Sequence, residues 1–321
     1  MDRHDLFNTA MALANLSEDT DSNDWEVRNQ ILYTKNNPVL WHLICLIAAT
    51  LTTNLVVTIW LFLEHINGWR RQAGKWDIAY AMEMMAHVRM KIELLEKEHP
   101  QFNRLLTLWY HHAGWIYASA GDFKKAAECH LKAWKLATET GDQPGKVLAR
   151  YSYHHMCLNA KIVRNENLAD AYRDFEAAMA GVHRQFGQKT FEDIRWRANA
   201  CYHEIFYGWL VEKKAPSPEA LNFLKNLPEN LKPAFCLDLI WAIEAVKEYP
   251  VKAVVLAYDV YYTRETPRYS VNDRANALIV NYAALKASNA CPDWLIPVLD
   301  EIQSQGHGGH LARAAIEHGL V

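Results

Sequence analysis

Glycine and proline are scarce in this sequence, 13 and 11 among 321 residues. Sandwiches and barrels need such turn residues at short, regular intervals. No run of strict polar–apolar alternation is present either, which excludes an all-β fold. Charge is equally sparse. Charged residues make up 22% and the net charge is −3, so no basic field invites nucleic acid and no acidic bulk enforces disorder. There is no CxxC, no HExxH, no phosphate-cradling glycine loop, no nucleophile elbow and no dinucleotide fingerprint. No metal and no cofactor is expected. The six cysteines (Cys45, Cys129, Cys157, Cys201, Cys236, Cys291) are scattered through apolar helical contexts. They read as buried free thiols and point to a reducing compartment for the region after residue 70.

The chain does have a long uncharged run. Residues 38–63, PVLWHLICLIAATLTTNLVVTIWLFL, contain no Asp, Glu, Lys or Arg. A helix needs ~20 such residues to cross a ~30 Å hydrocarbon core. Trp41 and Trp60 lie near the ends, where amphipathic rings favour the interface. The expectation is therefore a single transmembrane helix over 38–66 that contacts the bilayer through 38–63. Asn54, its strongest polar interruption, would seek a partner helix. An acidic leader, 1–37, partly helical, precedes it. Arg70, Arg71 and Lys75 follow it, against Arg28 and Lys35 before. That bias places the large domain on the cytoplasmic side of a bacterial inner membrane. Residues 67–100 read as a juxtamembrane linker and a long amphipathic helix over Lys75–His99, ended by Pro100.

From residue 101 to 321 the pattern is helix upon helix. In LWYHHAGWIYASAGDFKKAAECHLKAWKLA, residues 108–137, Gly114 and Tyr117 fall on a first helix. Gly121-Asp122-Phe123 forms a turn, and Ala126 and Ala133 fall on a second helix. The stretch resembles a tetratricopeptide repeat, although Thr138 stands where the family's closing proline would be. The resemblance implies that the small residues let paired helices approach closely. Leu168, Ala171 and Ala178 repeat Phe123, Ala126 and Ala133 at an offset of 45, with Asn159 in place of Gly114 and Asn167 in place of Asp122. A third copy runs through Gly208, Ala220 and Leu227. Further helices are predicted over roughly 232–248, 250–264, 271–288 and 292–304. The fold class is thus all-α, a transmembrane helix followed by a repeat solenoid.

The resemblance also implies a concave groove lined by first helices. Carrying the register over assigns it His111 and Trp115, then Tyr153, Met156 and Arg164, then Tyr202, Ile205 and Trp209. Aromatic, Met and Arg side chains make good anchors for a peptide or helix. The function expected is that of a membrane-anchored adaptor binding a protein or peptide partner, with no catalysis and no nucleic acid. One alternative is a membrane effector, whose transmembrane helix forms a homo-oligomer that perturbs the bilayer. Another is a soluble peptide-sensing regulator. An enzyme alternative rests on four Arg-x(4–6)-His pairs resembling those of a helical RNase family: Arg104/His111, Arg150/His155, Arg197/His203 and Arg313/His318. Chance alone supplies about two such pairs in this composition. The small polar residue that usually follows the arginine is replaced by Leu105, Tyr151, Ala198 and Ala314. The adjacent pairs His111-His112 and His154-His155 point ~100° apart on a helix, so neither converges on one ion.

Overall fold

The structure is a computed structural model that describes residues 3–15, 38–70, 78–187, 191–227, 237–262, 271–290, 292–303 and 307–321. Among them are fifteen helices packed in sequential antiparallel contacts, and no strand. They are α1 (Arg3–Ala14), α2 (Pro38–Leu51), α3 (Leu55–Arg70), α4 (Ile78–Glu93), α5 (Phe102–Ser119), α6 (Phe123–Glu139), α7 (Gln143–Val163) and α8 (Ala169–Gln185). Then follow α9 (Phe191–Glu212), α10 (Pro218–Lys225), α11 (Leu237–Ala245), α12 (Pro250–Tyr262), α13 (Val271–Ala287), α14 (Ile296–Gln303) and α15 (His307–Glu317). The chain divides into two compact units, residues 1–116 with 129–146, and residues 117–128 with 147–321.

In the first unit the uncharged run does not form one helix. It breaks at Thr52–Asn54 into α2 and α3, of 14 and 16 residues, about 21 and 24 Å long. No helix among the described residues is long and apolar enough to cross a membrane. The single continuous helix expected over 38–66 is corrected accordingly: two helices stand in its place, with Asn54 at the break between them. The cause is local. Thr and Asn offer the backbone alternative partners and are weak helix formers. Here Asn54 N donates to Thr52 Oγ1 at 3.2 Å, and Asn54 Oδ1 accepts from Val57 N at 3.1 Å, capping α3. Thr58 Oγ1 returns to Asn54 O at 2.8 Å.

The two helices then lie antiparallel. Near the open end, His65 Nδ1 sits 2.9 Å from His42 O, and its Nε2 sits 3.0 Å from Tyr80 Oη on α4. Ile44, Cys45 and Ala48 of α2 pack with Ala10 and Leu13 of α1 and Leu61 of α3. On the opposite side Ile59, Leu63 and Ile66 of α3 meet Met85, Val88 and Ile92 of α4, then Leu105, Ala113 and Ile116 of α5. A run that looked uniformly apolar thus has two protein-facing sides. α4 stops at Glu93, short of the expected His99, where Leu94 N and Leu95 N tighten to carbonyls three residues back.

In the second unit, α7 and α8 stand as an antiparallel pair, with Tyr151 stacked on Phe175 at 5.5 Å. Ala171, Ala178 and Ala220 are buried, as the repeat pattern requires of close helix crossings. α11 to α14 fall within the expected helices, with α11 described from Leu237 and α14 from Ile296, whereas α15 is not among them. The chain end turns back onto this unit. His318 Nε2 donates to Val163 O at the end of α7, 3.2 Å away, and Lys286 donates to Val321 O. Gly121, at φ +79°, has no room for a Cβ, because the His310 ring would lie 2.8 Å from it.

Candidate functional site

α7 has 21 residues and buries two adjoining faces. Ser152, Met156 and Asn159 form one, and Tyr151, His155, Leu158 and Ile162 the other. What remains is a strip of Arg150, Tyr153, Cys157 and Arg164, repeating at three, four and seven residues along one side. Arg164 is exposed, and the other three are half-buried. Tyr153 and Cys157 are hydrogen-bonded to each other. The neighbouring thiol, then burial, pushes the Tyr153 hydroxyl up, and burial pushes the Cys157 thiol up, so both stay neutral. His154 beside them is held below its ordinary value by burial, against the opposing pull of Asp174. Arg164 makes a 3.7 Å pair with Glu166, exposed on both sides and therefore weak.

Behind the strip lies a polar network that sequence reading did not assemble. Tyr151 Oη is bonded to His203 Nδ1 of α9 and accepts from Asn199 Nδ2 at 3.1 Å. His155 Nε2 lies 2.7 Å from Tyr207 Oη, which donates to Asn159 Oδ1 at 2.8 Å. The two imidazoles are 4.6 Å apart, enclosed by Phe175, Tyr151 and Tyr207. Burial lowers His203 to about 3 and pushes the Tyr151 and Tyr207 hydroxyls up. A histidine so far from neutral pH holds no proton to give and accepts one poorly. The signal for this network was Asn159, a polar residue at the place where the first repeat has Gly114. Its partner Tyr207 lies 48 residues on, beyond the reach of any local pattern.

The assigned groove residues divide by depth. Tyr153 and Arg164 reach the surface of α7. Met156 is fully buried, and Tyr202, Ile205 and Trp209 are buried on α9. Tyr202 Oη accepts from Asn276 Nδ2 of α13 at 3.0 Å, so this side chain is committed to a neighbouring helix. In the first unit, Trp115 Nε1 donates to His111 Nε2 at 3.1 Å. Both rings pack on His130, with centroids at 5.5 and 5.1 Å. These two are half-buried and face a helix side chain. Asn54 is a helix cap.

Of the Arg-x(4–6)-His pairs, Arg197 lies over the Phe223 ring, 4.8 Å from its centroid. Arg313 pairs with Asp300 and Glu317 at 2.7 Å each. His155 and His203 come together across α7 and α9, from two different pairs. Among the described residues no group of three or more His, Cys, Asp or Glu is placed to hold a metal ion. Cys45, Cys129, Cys157 and Cys201 are free thiols, while Cys236 and Cys291 lie outside the described residues. Burial pushes the Cys201 thiol up to about 12. Comparison with known proteins finds no match: no family model, no curated protein and no solved structure is similar to this chain.

Proposed function

We propose that this protein is an adaptor of tetratricopeptide-repeat type, binding a protein or peptide partner along the partly exposed strip of α7. The observation that carries the reading is the strip itself. It sets a half-buried Tyr and two guanidinium groups, Arg150 and Arg164, on one helix backed by a close-packed aromatic core. Rigid backing lowers the entropy cost of binding, and Tyr and Arg are the residues most often found at interface hot spots. Lys161 adds a third positive charge to this side of the helix, so the partner segment carries carboxylates. The peptide-sensing regulator is the same reading with a signal peptide as partner. The bilayer-perturbing effector is the weaker reading, because it called for one continuous apolar helix where α2 and α3 stand.

The test compares two variants of the full chain, with the recovered partner then titrated as purified material. Tyr153→Ala with Arg164→Ala should weaken binding by about 30-fold or more, the loss of ~2 kcal/mol typical of a hot spot. The variant should still melt cooperatively, since neither side chain is in the core. His203→Gln should leave binding intact. Binding lost in His203→Gln and kept in the strip variant would overturn the adaptor reading and favour chemistry at the histidine pair.

A further inference from the structure

In the first unit, α2 is apolar on every side, yet the protein covers only part of it. A helix hydrophobic all round is normally buried all round. The inner sides of α2 bury Ile44, Cys45, Ala48 and Ala49. At ~100° per residue, Leu43, Ile47, Thr50 and Leu51 fall within one arc of about 100° on the outer side. Leu43, Ile47 and Leu51 are 44%, 40% and 42% exposed there, and Thr50 is exposed with them. Phe7 of α1, the helix that packs on α2 through Ala10 and Leu13, is also exposed.

Two observations say what this side meets. The first is charge. No Asp, Glu, Lys or Arg occurs over residues 6–15 or 38–63, and the one histidine there, His42, is buried. A protein-docking patch is ringed by polar and charged groups. On α4 of the same unit, exposed Met90 and Leu94 do stand among exposed Glu83 and Glu93. The second is hydrogen bonding. Thr50, the polar side chain on the arc, donates its Oγ1 hydrogen to Ile47 O at 2.7 Å, within its own helix. At the turn that follows, Thr52, Asn54 and Thr58 likewise bond to nearby backbone. A hydroxyl that enters hydrocarbon must bring its partner with it, which a water-facing threonine need not do. We propose that the outer side of α2 docks on a lipid bilayer, lying in the plane of one leaflet with Leu43, Ile47 and Leu51 among the acyl chains. At about 21 Å, α2 is too short to cross a ~30 Å hydrocarbon core, but an in-plane helix enters only ~5–10 Å. Apolar burial drives this docking, so it needs no anionic headgroup.

The full chain should float with phosphatidylcholine vesicles, and equally well in about 0.5 M salt, where surface charge is screened. Ile47→Asp should lower the bound fraction at least about tenfold, because a charge is expelled from the acyl region. Thr50→Glu, at an exposed position outside the core, should do the same with an unchanged circular dichroism melt. Met90→Asp on α4 should bind as wild type does. Bound chain should pass to a second vesicle population on mixing. Chain locked in the first vesicles would mean a segment inserted across the bilayer and would overturn in-plane docking. A wild-type chain that ignores vesicles would overturn the proposal. If that chain sediments as a dimer that Thr50→Glu disperses, the occupant of this side is a second copy. Equal loss in Met90→Asp and Thr50→Glu would overturn the assignment to α2.

Discussion

At the residue scale, this protein hides chemistry-bearing side chains where small residues make room for them. Gly114 is an example. The repeat pattern places a glycine there for close helix approach, and the structure shows what approaches. A Cβ on Gly114 would meet the His130 ring at 2.5–2.8 Å. His130 is fully buried and cannot swing outward. Gly114→Ala should therefore destabilise by about 1–3 kcal/mol, the range for overpacking. In a His130→Ala background the added methyl should cost far less. A double-mutant cycle in urea that shows additive effects would contradict this contact.

The buried histidines give a pH dependence of definite sign. His203 is lowered from 6.5 to about 3 and His42 to about 4, both chiefly by burial. Below 6.5 the unfolded chain takes up these protons and the folded chain does not. Their contribution leaves stability unaffected above about pH 7. It then removes up to ~1.4 kcal/mol per pH unit per group as pH falls towards the folded values. The urea midpoint should drop between pH 7.5 and pH 5, and drop less in His203→Gln. An equal drop in both proteins would mean that His203 titrates normally.

At the element scale, the instructive case is the uncharged run. Length and composition argued for one span, yet a Thr-Thr-Asn triplet divides it. Its side chains supply the hydrogen bonds that a continuous helix would take from its own backbone. Asn54 has a specific task there, so its replacement has a specific cost. Asn54→Ala should lower stability by about 0.5–2 kcal/mol, while Asn54→Asp, also a strong cap, should stay near wild type. Thermal melts of the three proteins check this. Equal loss in Ala and Asp would show that the cap is not what holds the turn.

At the scale of the whole molecule, each unit closes its own core, and the second does so with the chain's last helix. Leu311, Ala312 and Ala315 of α15 are buried with residues from α7 to α13. His310 covers Gly121, and His318 reaches Val163. Ending the chain after Gln303 should thus cost more than a surface helix would, several kcal/mol by the lost burial of Leu311 alone and the cavity it leaves. The truncated chain should melt earlier, with loss of near-ultraviolet dichroism. An unchanged melt would mean that α15 only decorates the unit.

The sequence by itself determined the all-helical class, the helix positions between residues 102 and 303 and the small residues at helix crossings. These follow from periods of 3.6 and from alanines and glycines whose meaning is local. The family resemblance assigned Tyr153, Met156 and Arg164 to one groove; Tyr153 and Arg164 reach the surface of α7, and Met156 is buried. Only the tertiary structure decided that the apolar run folds back on itself. Hydrophobicity measures transfer out of water, and a bilayer and a protein core offer nearly the same transfer. It alone buried Tyr202, Ile205 and Trp209; Tyr202, for one, is bonded to Asn276 of α13, 74 residues later in the chain. It alone joined His155 to Tyr207 and Tyr151 to His203. Contacts between residues some fifty positions apart depend on how helix pairs stack, and no pattern within one helix encodes its neighbour's side chains.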